Sequence, residues 1–209
     1  MLTKTRKIGF YGGSFDPVHW GHLGAAIEFG YQLGLEKVLL SATGNPPHKT
    51  PRATPEQRFE MVRRAALEHP LLEASRLELD FPGPHYTAQT LERLHDLEPD
   101  AQIFLLTGRD AALALEDWFE PKTILRLSTL VVADREDFTT RPLTDSEPKP
   151  ALTPYTLQAM PSGTLELHWP GVNASSTDVR ARIAQGAPIE YLVPKSVIEF
   201  IYEQQLYRN

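Results

Sequence analysis

Two short segments hold most of the chemistry this 209-residue chain could perform. The first is Gly12-Gly13-Ser14-Phe15-Asp16-Pro17-Val18-His19-Trp20-Gly21-His22. It follows the apolar run Ile8–Tyr11 and precedes a stretch with helical spacing, so it joins a strand to a helix. Glycines allow an anion close to the backbone. A helix start adds N–H groups without intrahelical partners and the positive end of a dipole. His19 and His22 are three apart and share a face if the helix begins here. Two imidazoles in that place can donate hydrogen bonds to phosphate oxygens, with Gly21 between them leaving room for a ligand. Plainer readings stand beside this one. Gly-Gly after a strand also makes an ordinary turn, His-x-x-His also suits a metal pair, and Asp16 also suits a loop or helix cap. No third metal ligand stands at metal-site spacing. The segment has neither the Gly-Lys-Ser/Thr of a P-loop nor Gly-x-Gly-x-x-Gly, which weakens P-loop hydrolysis and simple dinucleotide redox binding.

The second segment is Asn173-Ala174-Ser175-Ser176-Thr177-Asp178-Val179-Arg180. Three hydroxyl residues open a helix, and an arginine follows one turn later. Ser, Thr and Asp are ordinary N-cap residues, so a plain cap accounts for them. A second phosphate cradle accounts for them too, with Arg180 as a forked donor.

These segments need elements to place them. Strands are predicted at Ile8–Tyr11, Val38–Leu40, Leu77–Leu79, Ile103–Leu106, Leu130–Ala133 and Leu165–Trp169. Helices are predicted at Gly21–Leu33, from Pro55 to about Glu68, Tyr86–Leu97 with Thr87 as a candidate cap, Thr177–Ala184 and Lys195–Leu206. Leu113–Trp118 and Thr123–Leu127 are short helix candidates. Thr54-Pro55-Glu56 is a strong helix opening. Residues 134–161 are rich in Pro, Thr, Asp and Glu and read as a long, partly mobile connection with room for one short helix. Short apolar strands alternating with helices predict an α/β fold, Rossmann-like and doubly wound, with a mainly parallel sheet and helices on both faces. Ligands of such sheets bind beyond the carboxyl ends of the strands. Gly12–His22, Gly108–Asp110 and Asn173–Arg180 all follow predicted strands.

Composition narrows the functions. There is no cysteine, so disulfides, thiolate catalysis and Cys-ligated zinc are excluded. A formal charge of −6 argues against a nucleic-acid partner but not against a small anion held by a few local donors. No apolar run is long enough to span a membrane. The opening MLTKTRKIGFYGG has no apolar signal core, so the cytoplasm is the expected compartment.

Taken together, G-G-S-F-D-P-V-H-W-G-H and S-S-T-D-V-R resemble the paired signatures of the HxGH nucleotidyltransferase superfamily, close to its bacterial nicotinate-mononucleotide adenylyltransferase branch. Further segments fit that branch in order: Asn45-Pro46-Pro47-His48-Lys49, Gln57-Arg58 with Met61, Tyr86-Thr87 with Thr90-Leu91, Gly108-x-Asp110 with Trp118, and Tyr191-Leu192-Val193-Pro194. The resemblance implies one nucleotidyltransferase domain over residues 1–209, its C-terminal helical part (about 174–209) carrying the second phosphate motif. It implies transfer of AMP from ATP to nicotinate mononucleotide, with Mg²⁺ carried by the ATP phosphates rather than by side chains. His19, His22 and Arg180 would be catalytic. Gly12, Gly13, Ser14, Phe15, Gly108, Asp110, Ser175, Ser176 and Thr177 would bind nucleotide. Lys49, Tyr86, Thr87, Trp118 and Arg135 would serve the pyridine nucleotide, with Trp118 able to stack on its ring. Trp118 and Tyr86 also suit plain core aromatics, and Lys49, Arg58 and Arg135 solvated surface cations. Two positions depart from the branch. Arg135-Glu136-Asp137 stands where Arg-Pro-Gly is usual, and Arg109 where a small residue is usual. The same residues leave open a sibling enzyme using nicotinamide mononucleotide or phosphopantetheine, or a nucleotide sensor without catalysis. A class I tRNA synthetase is disfavoured, because no Lys-Met-Ser-Lys-Ser type loop is present. The expected partners are small molecules, with no nucleic acid and no membrane, and a homo-oligomer is left open.

Overall fold

The computed structural model describes residues 5–46, 50–135, 153–154, 161–169 and 171–208. Its centre is a seven-stranded sheet of order β3-β2-β1-β4-β5-β7-β6. The strands are β1 (Arg6–Gly13), β2 (Lys37–Ala42), β3 (Leu72–Ser75), β4 (Ala101–Gly108), β5 (Thr129–Arg135), β6 (Thr153–Pro154) and β7 (Leu165–Trp169). All neighbours pair in parallel except β6, which runs antiparallel to β7. The expected Rossmann-like, mainly parallel architecture is therefore the one found.

Alternation along the strands divides the core. Ile103 and Leu105 of β4 face one layer, and Phe104 and Leu106 face the other. The first layer holds α3 (Thr87–Leu97), α4 (Arg109–Leu113) and α5 (Pro121–Leu127) against Ile8, Phe10, Leu130 and Val132. The second holds α1 (Trp20–Leu33), α2 (Pro55–Ala66), α6 (Ser176–Ala184) and α7 (Lys195–Glu203) against Val38, Leu40, Val131 and Leu167. Each fully buried Leu or Ile in these layers contributes about 2 kcal/mol by leaving water.

Helix boundaries follow local chemistry. Thr54 caps α2 by accepting from the Gln57 N–H, while the Gln57 side chain accepts from the Thr54 N–H. Gly34 ends α1 in the left-handed conformation.

Several expectations need correction. The third strand is Leu72–Ser75, not Leu77–Leu79. Residues 77–79 form a turn closed by Leu79 N–H to the Arg76 carbonyl, with Glu78 turned into the interior. Their alternation matches a strand only by coincidence. The N-cap of α3 is Tyr86, and Thr87 is already helical. The helix expected at Leu113–Trp118 starts earlier, as α4, and continues as a 3₁₀ turn over Leu115–Asp117. Helices α2 and α7 stop at Ala66 and Glu203, short of the expected Glu68 and Leu206. The long connection over 134–161 lies largely outside the described residues.

Gly9, in central strand β1, has no room for a side chain: an added Cβ would lie 2.6 Å from Phe29, 2.7 Å from Leu35 and 3.1 Å from Val38. Gly9→Ala is expected to destabilise the fold by about 1–3 kcal/mol through overpacking, read as a lower midpoint in chemical denaturation. An unchanged midpoint would mean the core here is loose.

Candidate active site

The strand order turns at β1. Its neighbour on one side is β2 and on the other β4, so the connections leave in opposite directions and open a crevice at the carboxyl ends. A cleft of about 520 Å³ sits there. Gly12, Gly13, Ser14, Phe15, Asp16 and His22 line one wall, Thr107, Gly108 and Ala111 the floor beyond β4, and Ser176, Thr177 and Arg180 the opposite wall. The three segments that follow strands therefore meet in one cavity. Direct bonds join the two helix entrances. Ser176 Oγ donates to the Pro17 carbonyl at 2.8 Å, and Arg180 Nη1 donates to the Asp16 carbonyl at 2.6 Å.

The imidazoles differ in setting. His19 is the N-cap of α1 and only 2% exposed, and it does not line the cleft. Its ring stacks under His22, with centroids 3.7 Å apart. Gly21 makes this possible, since a Cβ there would lie 3.0 Å from the His19 ring and 3.3 Å from the Val172 carbonyl. The space beside Gly21 thus belongs to His19 and the chain ahead of α6, not to a ligand. His22 Nδ1 accepts from the His19 N–H at 3.3 Å, so a neutral His22 ring carries its proton on Nε2. The first N–H of α1 is also committed: Trp20 donates to the Leu192 carbonyl at 2.9 Å. That bond gives the Tyr191–Pro194 segment its place, and it narrows the anion-binding part of this helix start to the preceding loop and His22.

Phe15 holds a left-handed backbone (φ 46°) although it is not glycine. Its ring is buried edge-on against Tyr11 and His22, which keeps the loop in that shape. Asp16 ties the loop down: its carboxylate accepts from the Arg52 N–H at 2.8 Å and the Ala53 N–H at 3.0 Å. This is a long-range tie to the chain ahead of α2 rather than the local cap that its place in the loop suggested, and Asp16 also lines the cleft.

Ser175 is the N-cap of α6, its hydroxyl accepting from the Asp178 N–H at 3.0 Å. It does not line the cleft, whereas Ser176 and Thr177 do. Asp110 is exposed just beyond Gly108. Tyr86, Thr87 and Trp118 gather on the α3 side of the sheet. There Trp118 packs on the core and Tyr86 stacks on Phe119, with centroids 4.6 Å apart. Lys49 lies outside the described residues, as does the side chain of Arg135.

Two buried charges were not legible as such. Arg58 is 1% exposed, which overturns its reading as a surface cation. Its guanidinium donates to the carbonyls of Ser14 at 2.8 Å, Gly44 at 3.0 Å and Ala53 at 3.3 Å, tying three loops together. Burial presses its pKa down, yet guanidinium stays the cation. Nothing local in Gln57-Arg58 announces this, because its acceptors come from distant segments. Glu78 is 3% exposed and accepts from Thr90 Oγ1 at 3.2 Å. Burial pushes its carboxyl above the ordinary value of 4.5, against weaker pulls from His85, Thr90, Thr43 and Gly44. His85 Nδ1 accepts from the Asn45 N–H at 2.9 Å, fastening the loop after β2 to the segment that enters α3.

Among the described residues, no three His, Asp or Glu side chains gather into a set that could hold a metal ion. No helix among them is long and apolar enough to cross a membrane.

Comparison with known proteins agrees with this geometry. The family model described as cytidylyltransferase-like matches residues 10–182. With the Rossmann-like sheet and the cleft at its switch point, this makes the chain a nucleotidyltransferase enzyme. It is 40% identical over 205 residues to a "Probable nicotinate-nucleotide adenylyltransferase" of Desulfitobacterium hafniense, covering 97% of this chain and 96% of that one. A protein of the same printed name from Thermus thermophilus is 38% identical, covering 97% and 100%. The chain belongs to the nicotinate-nucleotide adenylyltransferase family. Its fold is also that of the Plasmodium falciparum nicotinic acid mononucleotide adenylyltransferase complexed with NaAD, with a TM-score of 0.75 at 17% identity and 97% of each chain covered.

The Glu78 geometry carries a pH signature. A carboxyl whose folded pKa is raised supports the fold fully below its unfolded value, 4.5, and loses that support as pH rises through the folded value. Glu78→Gln is therefore expected to gain stability relative to the parent as pH climbs above 4.5. Denaturation midpoints at several pH values measure this. A constant difference would show that the carboxyl titrates normally.

Proposed function

We propose that this enzyme transfers the adenylyl group of ATP to nicotinate mononucleotide, releasing pyrophosphate and forming nicotinate adenine dinucleotide. The carrying observation is the convergence of His22, Ser176, Thr177 and Arg180 on one cleft beside the glycines that end β1. The printed names of the relatives supply the acceptor.

A phosphate oxygen of the mononucleotide attacks the α-phosphorus in line. The bond from that phosphorus to the bridging oxygen of the β-phosphate breaks, and its electron pair leaves with pyrophosphate. No covalent enzyme intermediate is needed, so the protein works by placement and by stabilising developing charge. The His22 Nε2–H donates to phosphate oxygens, and His19 backs the ring by stacking. Ser176, Thr177 and Arg180 receive the outgoing pyrophosphate, with Arg180 as the forked donor. Gly12, Gly13, Ser14 and Phe15 face the junction of the two nucleotides, and Gly108 the nucleotide sugar, with the exposed Asp110 reaching the sugar from beyond the cleft lining. Tyr86, Thr87 and Trp118 take the pyridine ring, while Lys49 and Arg135 serve the acceptor phosphate. Mg²⁺ would be carried by the ATP phosphates: among the described residues that line the cleft, Asp16 is the one carboxylate, and it already accepts from the Arg52 and Ala53 amides and the Tyr207 hydroxyl. A site of this kind takes small molecules and operates in the cytoplasm.

The test incubates the protein with Mg²⁺ and ATP, adding nicotinate or nicotinamide mononucleotide separately, and follows pyrophosphate. Faster release with the nicotinate form is expected; preference for the amide, or no release with either, overturns the acceptor assigned. His22→Ala is expected to lower kcat by ~100-fold or more, the usual scale for one lost charge-stabilising donor, with the fold retained by circular dichroism. A near-normal rate in that variant would remove His22 from the mechanism.

A further inference from the structure

The chain that follows α7 returns to the catalytic loop. Gln205 and Tyr207 both hold left-handed backbones, at φ 52° and 63°, a conformation that non-glycine residues rarely keep without compensation. The turn carries Tyr207 into the interior, where it is 7% exposed. Its hydroxyl donates to Asp16 Oδ1 at 2.8 Å, across 191 positions of sequence.

Asp16 is where this bond matters. Oδ1 accepts from Tyr207 and from the Ala53 N–H, and Oδ2 accepts from the Arg52 N–H. Arg180 Nη1 stands 3.7 Å from Oδ2, close enough for an ion pair but too far for a hydrogen bond. That nitrogen donates to the Asp16 carbonyl instead, and Nη2 donates to Thr177 Oγ1 at 3.2 Å. The carboxylate is thus anchored by three neutral donors, and the guanidinium beside it is left facing the cleft. Burial and the facing carboxylate push the Tyr207 phenol far above its usual range, so it remains a donor at any working pH.

We infer that Tyr207 is a positioning residue for phosphate binding: its hydroxyl holds the Asp16 carboxylate off Arg180, so that the guanidinium, placed by the Asp16 carbonyl and Thr177, keeps its remaining donors for the polyphosphate instead of closing onto the carboxylate. This rests on the adenylyl-transfer reading of the cleft. Without the hydroxyl, Oδ1 keeps only the Ala53 N–H. The carboxylate then turns onto Nη1, and Arg180 is drawn out of its place.

The experiment compares wild type, Y207F, R180K and the double variant, each checked by melting curve and circular dichroism. Y207F is expected to raise the pyrophosphate inhibition constant by roughly 10-fold, the effect of losing one hydrogen bond to a charged group, while KM for nicotinate mononucleotide stays put. In the R180K background, Y207F should add little, because both changes act on one interaction. M61L is the control for packing. The Tyr207 hydroxyl also reaches Met61 Sδ, a weak acceptor, at 4.0 Å, so this variant disturbs the same pocket while leaving the hydroxyl its bond to Asp16. It should lower the melting temperature and leave pyrophosphate inhibition unchanged. Should Y207F not fold, Y207M takes its place as a filler without the hydroxyl. The inference falls if Y207F matches wild type, if the two effects multiply in the double variant, or if M61L reproduces the Y207F kinetics. Calorimetric titration with pyrophosphate alone separates this inference from its parent. Wild type that binds pyrophosphate but does not turn over the mononucleotide defeats the acceptor reading only. Equal pyrophosphate affinity in wild type and Y207F defeats the Tyr207 inference only.

Discussion

A carboxylate taken out of water must be met by donors, and Asp16 is met by three hydrogen bonds, with a guanidinium at ion-pair distance beside them. The Arg52 and Ala53 amides come from the loop ahead of α2, Arg180 from α6, and Tyr207 from the turn after α7. Asp16 lies between the glycines of β1 and the imidazoles of α1, so whatever fixes it fixes both. An unpaired charge at this depth would cost several kcal/mol. The cavity is thus held in shape by the need to satisfy one buried anion, and Arg58 repeats the principle with opposite sign by drawing three loop carbonyls inward.

This arrangement explains how a strand-to-helix loop with a left-handed phenylalanine is held in place. The loop has few internal bonds of its own. Its restraints come from outside it: Arg58 on the Ser14 carbonyl, Ser176 on the Pro17 carbonyl, Leu192 on the Trp20 amide. Each involves backbone, so side chains such as Ser14 and His22 are left to face the cavity.

Much of this was legible in the sequence, and the illegible parts share a cause. Apolar runs gave the central strands because both faces are covered, and Thr54-Pro55 with Gln57 gave the start of α2 because the capping exchange is local. The two phosphate-type segments could be found because each opens a helix, and their meeting could be expected from the order of strands and helices. The edge strand β3 was misplaced because Leu72-Glu73-Ala74-Ser75 carries little apolar pattern, while Leu77 and Leu79 flank a turn that buries Glu78. Arg58, Glu78 and Tyr207 carry no local sign of burial, since their partners stand elsewhere along the chain. His19 was paired with His22 correctly, yet spacing could not say which ring would lie uppermost.

The alternation in β4 has a wider implication. Its odd and even side chains insulate two half-cores, one carrying α1 and α6 and the other α3, α4 and α5. His22, Ser176, Thr177 and Arg180 project into the cleft from the first, while Trp118 packs on the second and Tyr86 stacks on Phe119 beside it. The halves touch mainly through a sheet whose pleat keeps their packing separate. A change of side-chain volume in one compartment is therefore absorbed first by that compartment's own neighbours, and reaches the other only if the strands between them shift.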